Sequence, residues 1–172
     1  DKKDMVVQII SGFRGSGKTT FLNQCIEQIK GKTAVIQNDF GAQVVDRENV
    51  EGSLIYEEIG EGCICCGMAL EFEEKMRRIA MEDCLDRIFI EASGFGKLSD
   101  VVKVCTQLKE KEHLEMVIGP NVTVVDIGMV EAYASGLGEF YVDQIEHADV
   151  ILVNNIDSDD VEPEEIEERW ND

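Results

Sequence analysis

An apolar run, Met5–Ile10, leads straight into Gly12-Phe-Arg-Gly-Ser-Gly-Lys18-Thr19, and a helix-period pattern begins at once on the far side. Few folds tolerate that order. A strand with almost no polar interruption must be covered on both faces. The glycines then let the backbone swing into a helix where a Cβ would obstruct it. One such unit fixes the class: a buried parallel strand feeding a helix that packs back on the sheet.

The same cadence runs along the chain. Thr19–Lys30 reads as a helix with Phe21, Leu22, Cys25, Ile26 and Ile29 on one side, capped by Gly31. Thr33–Gln37 reads as a strand, Leu54–Ile59 as a shorter apolar run, and Met68–Met81 as a helix presenting Phe72, Met76 and Ile79. Leu85–Ile90, Val122–Val125 and Val150–Val153 read as strands, and Leu98–Glu112, Met129–Ser135 and Glu139–His147 as helices. The expected fold is α/β, a parallel sheet with helices on both faces. Such sheets bind ligands beyond the carboxyl ends of their strands. The chemistry is therefore expected at Gly12–Thr19, Asn38–Gly41, Glu91–Gly94, Asp126 and Asn154–Asp157.

Gly12–Thr19 fits G-x-x-x-x-G-K-[ST] in the strand-to-helix context that this motif requires. Backbone N–H groups released by the glycines can converge on phosphate oxygens, and the helix opening at Lys18 adds its positive end. Lys18 is expected at the β- and γ-phosphates and Thr19 on magnesium. Gly12, Arg14, Gly15, Ser16, Gly17 and Thr20 complete the nucleotide-binding set. Glu91, directly after an apolar strand, can approach the magnesium or its waters, and the backbone of Gly94 the γ-phosphate. Asp39 and Asp46 offer further oxygen ligands or a water-positioning group, although Asp is also an ordinary turn former. Lys18, Glu91 and Asp46 are thus the candidate catalytic residues, with Thr19, Asp39 and Glu91 around magnesium.

Cys63-Ile-Cys65-Cys66-Gly67 places three of the six cysteines in four positions. Such a cluster can present two or three sulfurs to one soft or borderline cation, leaving a coordination position open. Glu57, Glu58 and Glu61 flank it and favour cation capture. Two other readings stand beside the metal site: a redox pair, though C-x-C-C lacks the usual C-x-x-C spacing, and a thiol that simply packs. Cys25, Cys84 and Cys105 read as core thiols, and His113 and His147 as structural.

Charge narrows the partners. Sixteen Lys and Arg against thirty-six Asp and Glu give a formal net charge of −20. A surface this acidic opposes binding to nucleic acid or to anionic lipid. No apolar stretch is long enough for a membrane-spanning helix, and the charged start does not resemble a signal peptide. The clustered thiols favour a reducing, cytoplasmic setting. The carboxylate-rich stretch 157–172 reads as a solvated terminal helix.

Taken in order, GFRGSGKTT at Gly12–Thr20, NDFG at Asn38–Gly41, GCICCG at Gly62–Gly67, EASG at Glu91–Gly94, VTVVD at Val122–Asp126 and DQIEHADVILVNNID at Asp143–Asp157 resemble the CobW-type GTPases. These are the metal-chaperone branch of the P-loop GTPases, which also includes the urease and hydrogenase nickel-insertion proteins. The resemblance implies a P-loop NTPase three-layer sandwich that binds GTP and Mg2+. It further implies a divalent transition metal, Zn2+ or Co2+, held near Cys63, Cys65 and Cys66. Slow hydrolysis would control transfer to a client metalloprotein or a cobalamin-related pathway protein, and a nucleotide-dependent homodimer is implied as well. Asn154 and Asp157 match the guanine motif, which favours GTP over ATP, while Asn155 replaces its Lys, so a lower affinity for the base is expected. Asp39 stands where the family commonly has Glu. Residues 1–172 are expected to form a single P-loop GTPase domain, without the family's separate C-terminal domain. Two other functions use the same residues: a nucleotide-sensing adaptor that does not hydrolyse, and a thiol oxidoreductase.

Overall fold

The computed structural model describes residues 4–38, 54–59, 69–81 and 85–154. Among these residues seven strands form one sheet: β1 (Met5–Ser11), β2 (Thr33–Gln37), β3 (Leu54–Glu58), β4 (Arg87–Glu91), β5 (Met116–Ile118), β6 (Val122–Asp126) and β7 (Val150–Asn154). The order is β3-β2-β4-β1-β6-β7, with β5 beside the start of β1. Every pairing is parallel.

The helices are α1 (Lys18–Gln28), α2 (Ala69–Ala80), α3 (Leu98–Lys111), α4 (Val130–Gly136) and α5 (Gly138–Glu146). Alternation along β1 assigns them to layers. Val7 and Ile9 pack with Phe72, Met76 and Ile79 of α2 and with Leu98, Val101, Cys105 and Leu108 of α3. Ile10 points the other way, to Leu22 and Ile26 of α1. The sheet therefore has helices on both faces, as its apolar runs require. Each fully buried Leu, Ile or Phe contributes about 1.5–3 kcal/mol by leaving water.

Most element ends differ by a residue or two from the sequence reading, and those of the first helix and of β4 matter here. The first helix begins at Lys18 because Gly17 is left-handed (φ 110°), and it ends at Gln28 with Ile29 already extended. Gly31 is therefore not its cap. With φ 113°, Gly31 turns the chain toward β2, and the Asp86 carboxylate fills the space a Cβ would need. The amide of Lys32 donates to that carboxylate at 2.9 Å, and Asp86 N returns a bond to Lys32 O at 2.9 Å. Strand β4 starts at Arg87 rather than Leu85 and includes Glu91. Strand β5 has only three residues, too few to register as an apolar run.

Candidate functional site

The carboxyl ends of β1, β2, β4, β6 and β7 open on one side of the sheet. Beyond β1 the chain turns tightly, with Ser16 N donating to Phe13 O at 3.1 Å. Phe13 is buried against Tyr133 of α4, ring centroids 4.3 Å apart and tilted, and lies 6.4 Å from the Tyr141 ring of α5, stacked. This aromatic group anchors the loop to α4 and α5. Burial raises the pKa of both tyrosines, and the negative charge of Asp126 adds to the effect at Tyr133.

Lys18 is buried, and its Nζ donates to the carbonyl of Ala92 at 3.2 Å. Next to it, Thr19 Oγ1 donates to Glu91 Oε1 at 2.7 Å. Glu91 has no exposed surface, and its Oε2 accepts from Gln37 Nε2 at 3.0 Å. The strand ends are laced by backbone as well: Asn38 N donates to Glu91 O at 2.9 Å and Ile59 N to Gln37 O at 3.0 Å. The hydroxyl proton of Thr19 points to a carboxylate, which leaves the oxygen's lone pairs for a cation. The Ser16 hydroxyl is fully buried and has no hydrogen-bond partner among the described residues. That orphaned donor, a buried ammonium and the N-terminus of α1 suit a phosphate chain, and Thr19 with Glu91 suits the hard cation that accompanies one.

Two further contacts close the loop. A Cβ on Gly94 would lie 2.6 Å from Arg14 N, so the loop after β4 sits directly against the glycine loop. Asn154 Nδ2, from the end of β7, donates to Ser16 O at 2.9 Å.

The structure thus brings together Gly12, Arg14, Gly15, Ser16, Gly17, Lys18, Thr19, Glu91, Gly94 and Asn154. Thr20 lies exposed on α1. Asp39, Asp46, Cys63, Cys65, Cys66 and Asp157 lie outside the described residues. Among the described residues no three His, Cys, Asp or Glu side chains gather as a metal site, and no helix is long and apolar enough to cross a membrane. Cys105 is buried and Cys25 partly so. His113 ends α3 in a left-handed turn (φ 52°), and His147 Nδ1 lies 3.0 Å from Asp143 O at the end of α5.

Sequence reasoning passed over Gln37, Tyr56 and Asp143. Tyr56 of β3 donates its hydroxyl to Gln37 Oε1 at 2.5 Å. Asp143 of α5 caps α3 from outside, accepting from Ser99 N at 3.1 Å and from Ser99 Oγ. The one available signal for Gln37 was an amide closing an otherwise apolar strand, one residue before the Asn38 loop.

Comparison with known proteins agrees with this arrangement. Residues 6–172 match the model of a family described as "CobW/HypB/UreG, nucleotide-binding domain". The chain is 30% identical to "Zinc chaperone CobW" of Pseudomonas aeruginosa, over 91% of its own length and 50% of that protein. It is also 30% identical to "Zinc-regulated GTPase metalloprotein activator 1" of Dictyostelium discoideum, over 88% of its own length and 40% of the other. Among solved structures, the zinc-bound YjiA GTPase from E. coli superposes with a TM-score of 0.65 at 22% identity, covering 98% of this chain and 54% of that one. That likeness bears on the fold. The chain spans about half the length, or less, of these relatives.

Proposed function

The chain belongs to the CobW/HypB/UreG family of nucleotide-binding domains, and from that premise we propose that it is a slow GTPase whose nucleotide state governs capture and release of a zinc- or cobalt-type cation at Cys63, Cys65 and Cys66. The observation that carries this reading is the bond from Thr19 to the buried Glu91, 2.7 Å long, beside Lys18 at the mouth of the glycine loop. A carboxylate is kept out of water only for a purpose that offsets its desolvation. Here it faces the one hydroxyl that the motif assigns to a cation.

In this reading Lys18 and the loop amides oppose the charge that builds on the γ-phosphate, and Ser16 supplies a further donor. Thr19 and Glu91, with Asp39 as a further candidate, would hold Mg2+, which would supply neutralisation of phosphate charge. Both oxygens of Glu91 are engaged, by Thr19 and Gln37. That favours Asp46 over Glu91 as the group that orients water. Asn154 braces the loop through Ser16, which leaves base recognition to Asp157, an acceptor for the guanine N1 and N2 groups. Residues 1–172 then act as one nucleotide-binding unit, with transfer to a client metalloprotein or cobalamin-related protein and nucleotide-dependent pairing of two copies as further parts of the proposal. The names of the relatives, a zinc chaperone and a zinc-regulated GTPase activator, support the cargo and the activity.

The test is metal analysis of anaerobically purified protein with and without GTP and Mg2+, repeated on the variant with Cys63, Cys65 and Cys66 all changed to Ser. Tighter zinc or cobalt binding in the presence of GTP, lost in the triple variant, is the expected result. Equal affinity with and without nucleotide overturns the coupling. A reversible disulfide among these thiols, with metal blocking activity, would point to redox chemistry instead.

A further inference from the structure

Tyr56, Gln37, Glu91 and Thr19 form a continuous polar line across three adjacent strands and into α1. Tyr56 donates to Gln37 Oε1 (2.5 Å), Gln37 Nε2 to Glu91 Oε2 (3.0 Å), and Thr19 to Glu91 Oε1 (2.7 Å). The inner part of the line is dry. Gln37 is 4% exposed and Glu91 0%.

We propose that Gln37 and Tyr56 are positioning residues that lock the Glu91 carboxylate against Thr19 and so set the affinity of the nucleotide site for magnesium. The inference rests on the magnesium–nucleotide reading above and extends it to two residues of the neighbouring strands.

The direction of each bond makes the lock work. A carboxylate has only acceptors, so the Gln37 NH2 must face Glu91, since the opposite flip would set oxygen against oxygen. That orientation leaves Gln37 Oε1 pointing at β3, where it needs a donor. Tyr56 supplies the one proton a phenol has. Its oxygen also lies 2.9 Å from Glu58 Oε1, but Glu58 is exposed and has water as an alternative partner. The buried Gln37 oxygen has more to lose, so it takes the proton. Tyr56 thereby fixes the amide, the amide fixes the carboxylate, and the carboxylate fixes the Thr19 hydroxyl. Groups that orient a ligand in this way govern cation affinity without touching the cation.

The strand that supplies the phenol ends at Glu58, five positions before Cys63 in the sequence. Its end is also tied to α2, through Lys75 Nζ to the Glu58 carbonyl and Arg78 to Glu57 at 2.7 Å. The phenol of the lock thus sits on β3, one of the two elements that flank the thiol motif in sequence.

A double-mutant cycle tests this, using the fluorescence of a bound GDP analogue titrated with Mg2+. Tyr56→Phe keeps the ring and removes only the proton, and Gln37→Met keeps the length and removes the amide. Tyr56→Phe should weaken the Mg2+ midpoint roughly three- to tenfold, as expected for one lost hydrogen bond, and Gln37→Met by about tenfold or more. Binding of the analogue in EDTA should not change. The double variant should be no weaker than Gln37→Met alone, because Tyr56 acts only through the amide. A lower melting temperature with an unmoved Mg2+ midpoint would assign these residues a merely structural role and overturn the proposal. Additive losses in the double variant would overturn the relay. Should Gln37→Met fail to fold, Tyr56→Phe alone decides. A parent protein with no Mg2+ dependence would instead remove the underlying nucleotide reading, an outcome distinct from a failed relay.

Discussion

Thr19 and Glu91 meet across 2.7 Å, hydroxyl to carboxylate, in a position that is 8% exposed on one side and 0% on the other. The pair joins the first turn of α1 to the last residue of β4. Replacing Thr19 with Val keeps the shape but strips Glu91 Oε1 of a donor where water cannot substitute. We expect a loss of about 1–3 kcal/mol in stability by chemical denaturation. Nucleotide affinity should fall in Mg2+ and match the parent in EDTA. Equal loss in both media would show that the hydroxyl serves the loop's shape rather than a cation.

Asn154 offers a sharper distinction. Its amide donates to Ser16 O at 2.9 Å, so Asn154→Asp sets a carboxylate against a carbonyl. A brace on the glycine loop predicts weaker binding of GDP and ADP by the same factor, along with about 1–3 kcal/mol of lost stability. A base-reading residue predicts a change in the GDP-to-ADP ratio. Parallel calorimetry with the two diphosphates separates them.

Cys105 sets an alkaline limit on the fold. Burial pushes its thiol from 9.0 up to about 12. The folded chain therefore keeps a proton that the unfolded chain releases above pH 9. The stabilising contribution is complete below that pH and is lost as pH rises toward about 12, at a slope of about 1.4 kcal/mol per pH unit. Cys25 is raised in the same direction by its partial burial, with Arg87 opposing. Urea midpoints measured across the alkaline range should fall with pH, and Cys105→Val should flatten the slope. Cys105 should also resist thiol reagents until the protein unfolds. Rapid native-state labelling of Cys105 would contradict its burial.

What could be read in the sequence was whatever a single residue type or period announces by itself. The glycine loop, the buried strands and the acid closing β4 are local signals. Gln37 and Tyr56 are not local. Each sits in a strand whose apolar pattern is unaffected by its polar end, and their roles exist only because β2 pairs with both β3 and β4. The cap on α3 escaped for the same reason. The residue in its N-cap position, Lys97, provides no side-chain cap, while Asp143 arrives from a helix more than forty positions away. Gly31 illustrates the converse, since a glycine after a helix is commonly a cap. Here the extended Ile29 had already ended α1, and the glycine makes room for Asp86.

The close approach of Gly94 to Arg14 has a mechanical corollary. With no room even for a methyl group between them, the two loops cannot slide independently. A displacement of one backbone, such as the exit of a terminal phosphate would provoke, must be handed to the other or taken up in its own torsions. The sheet's rim is in that sense a gear train without play, and glycine at position 94 is what lets its teeth mesh.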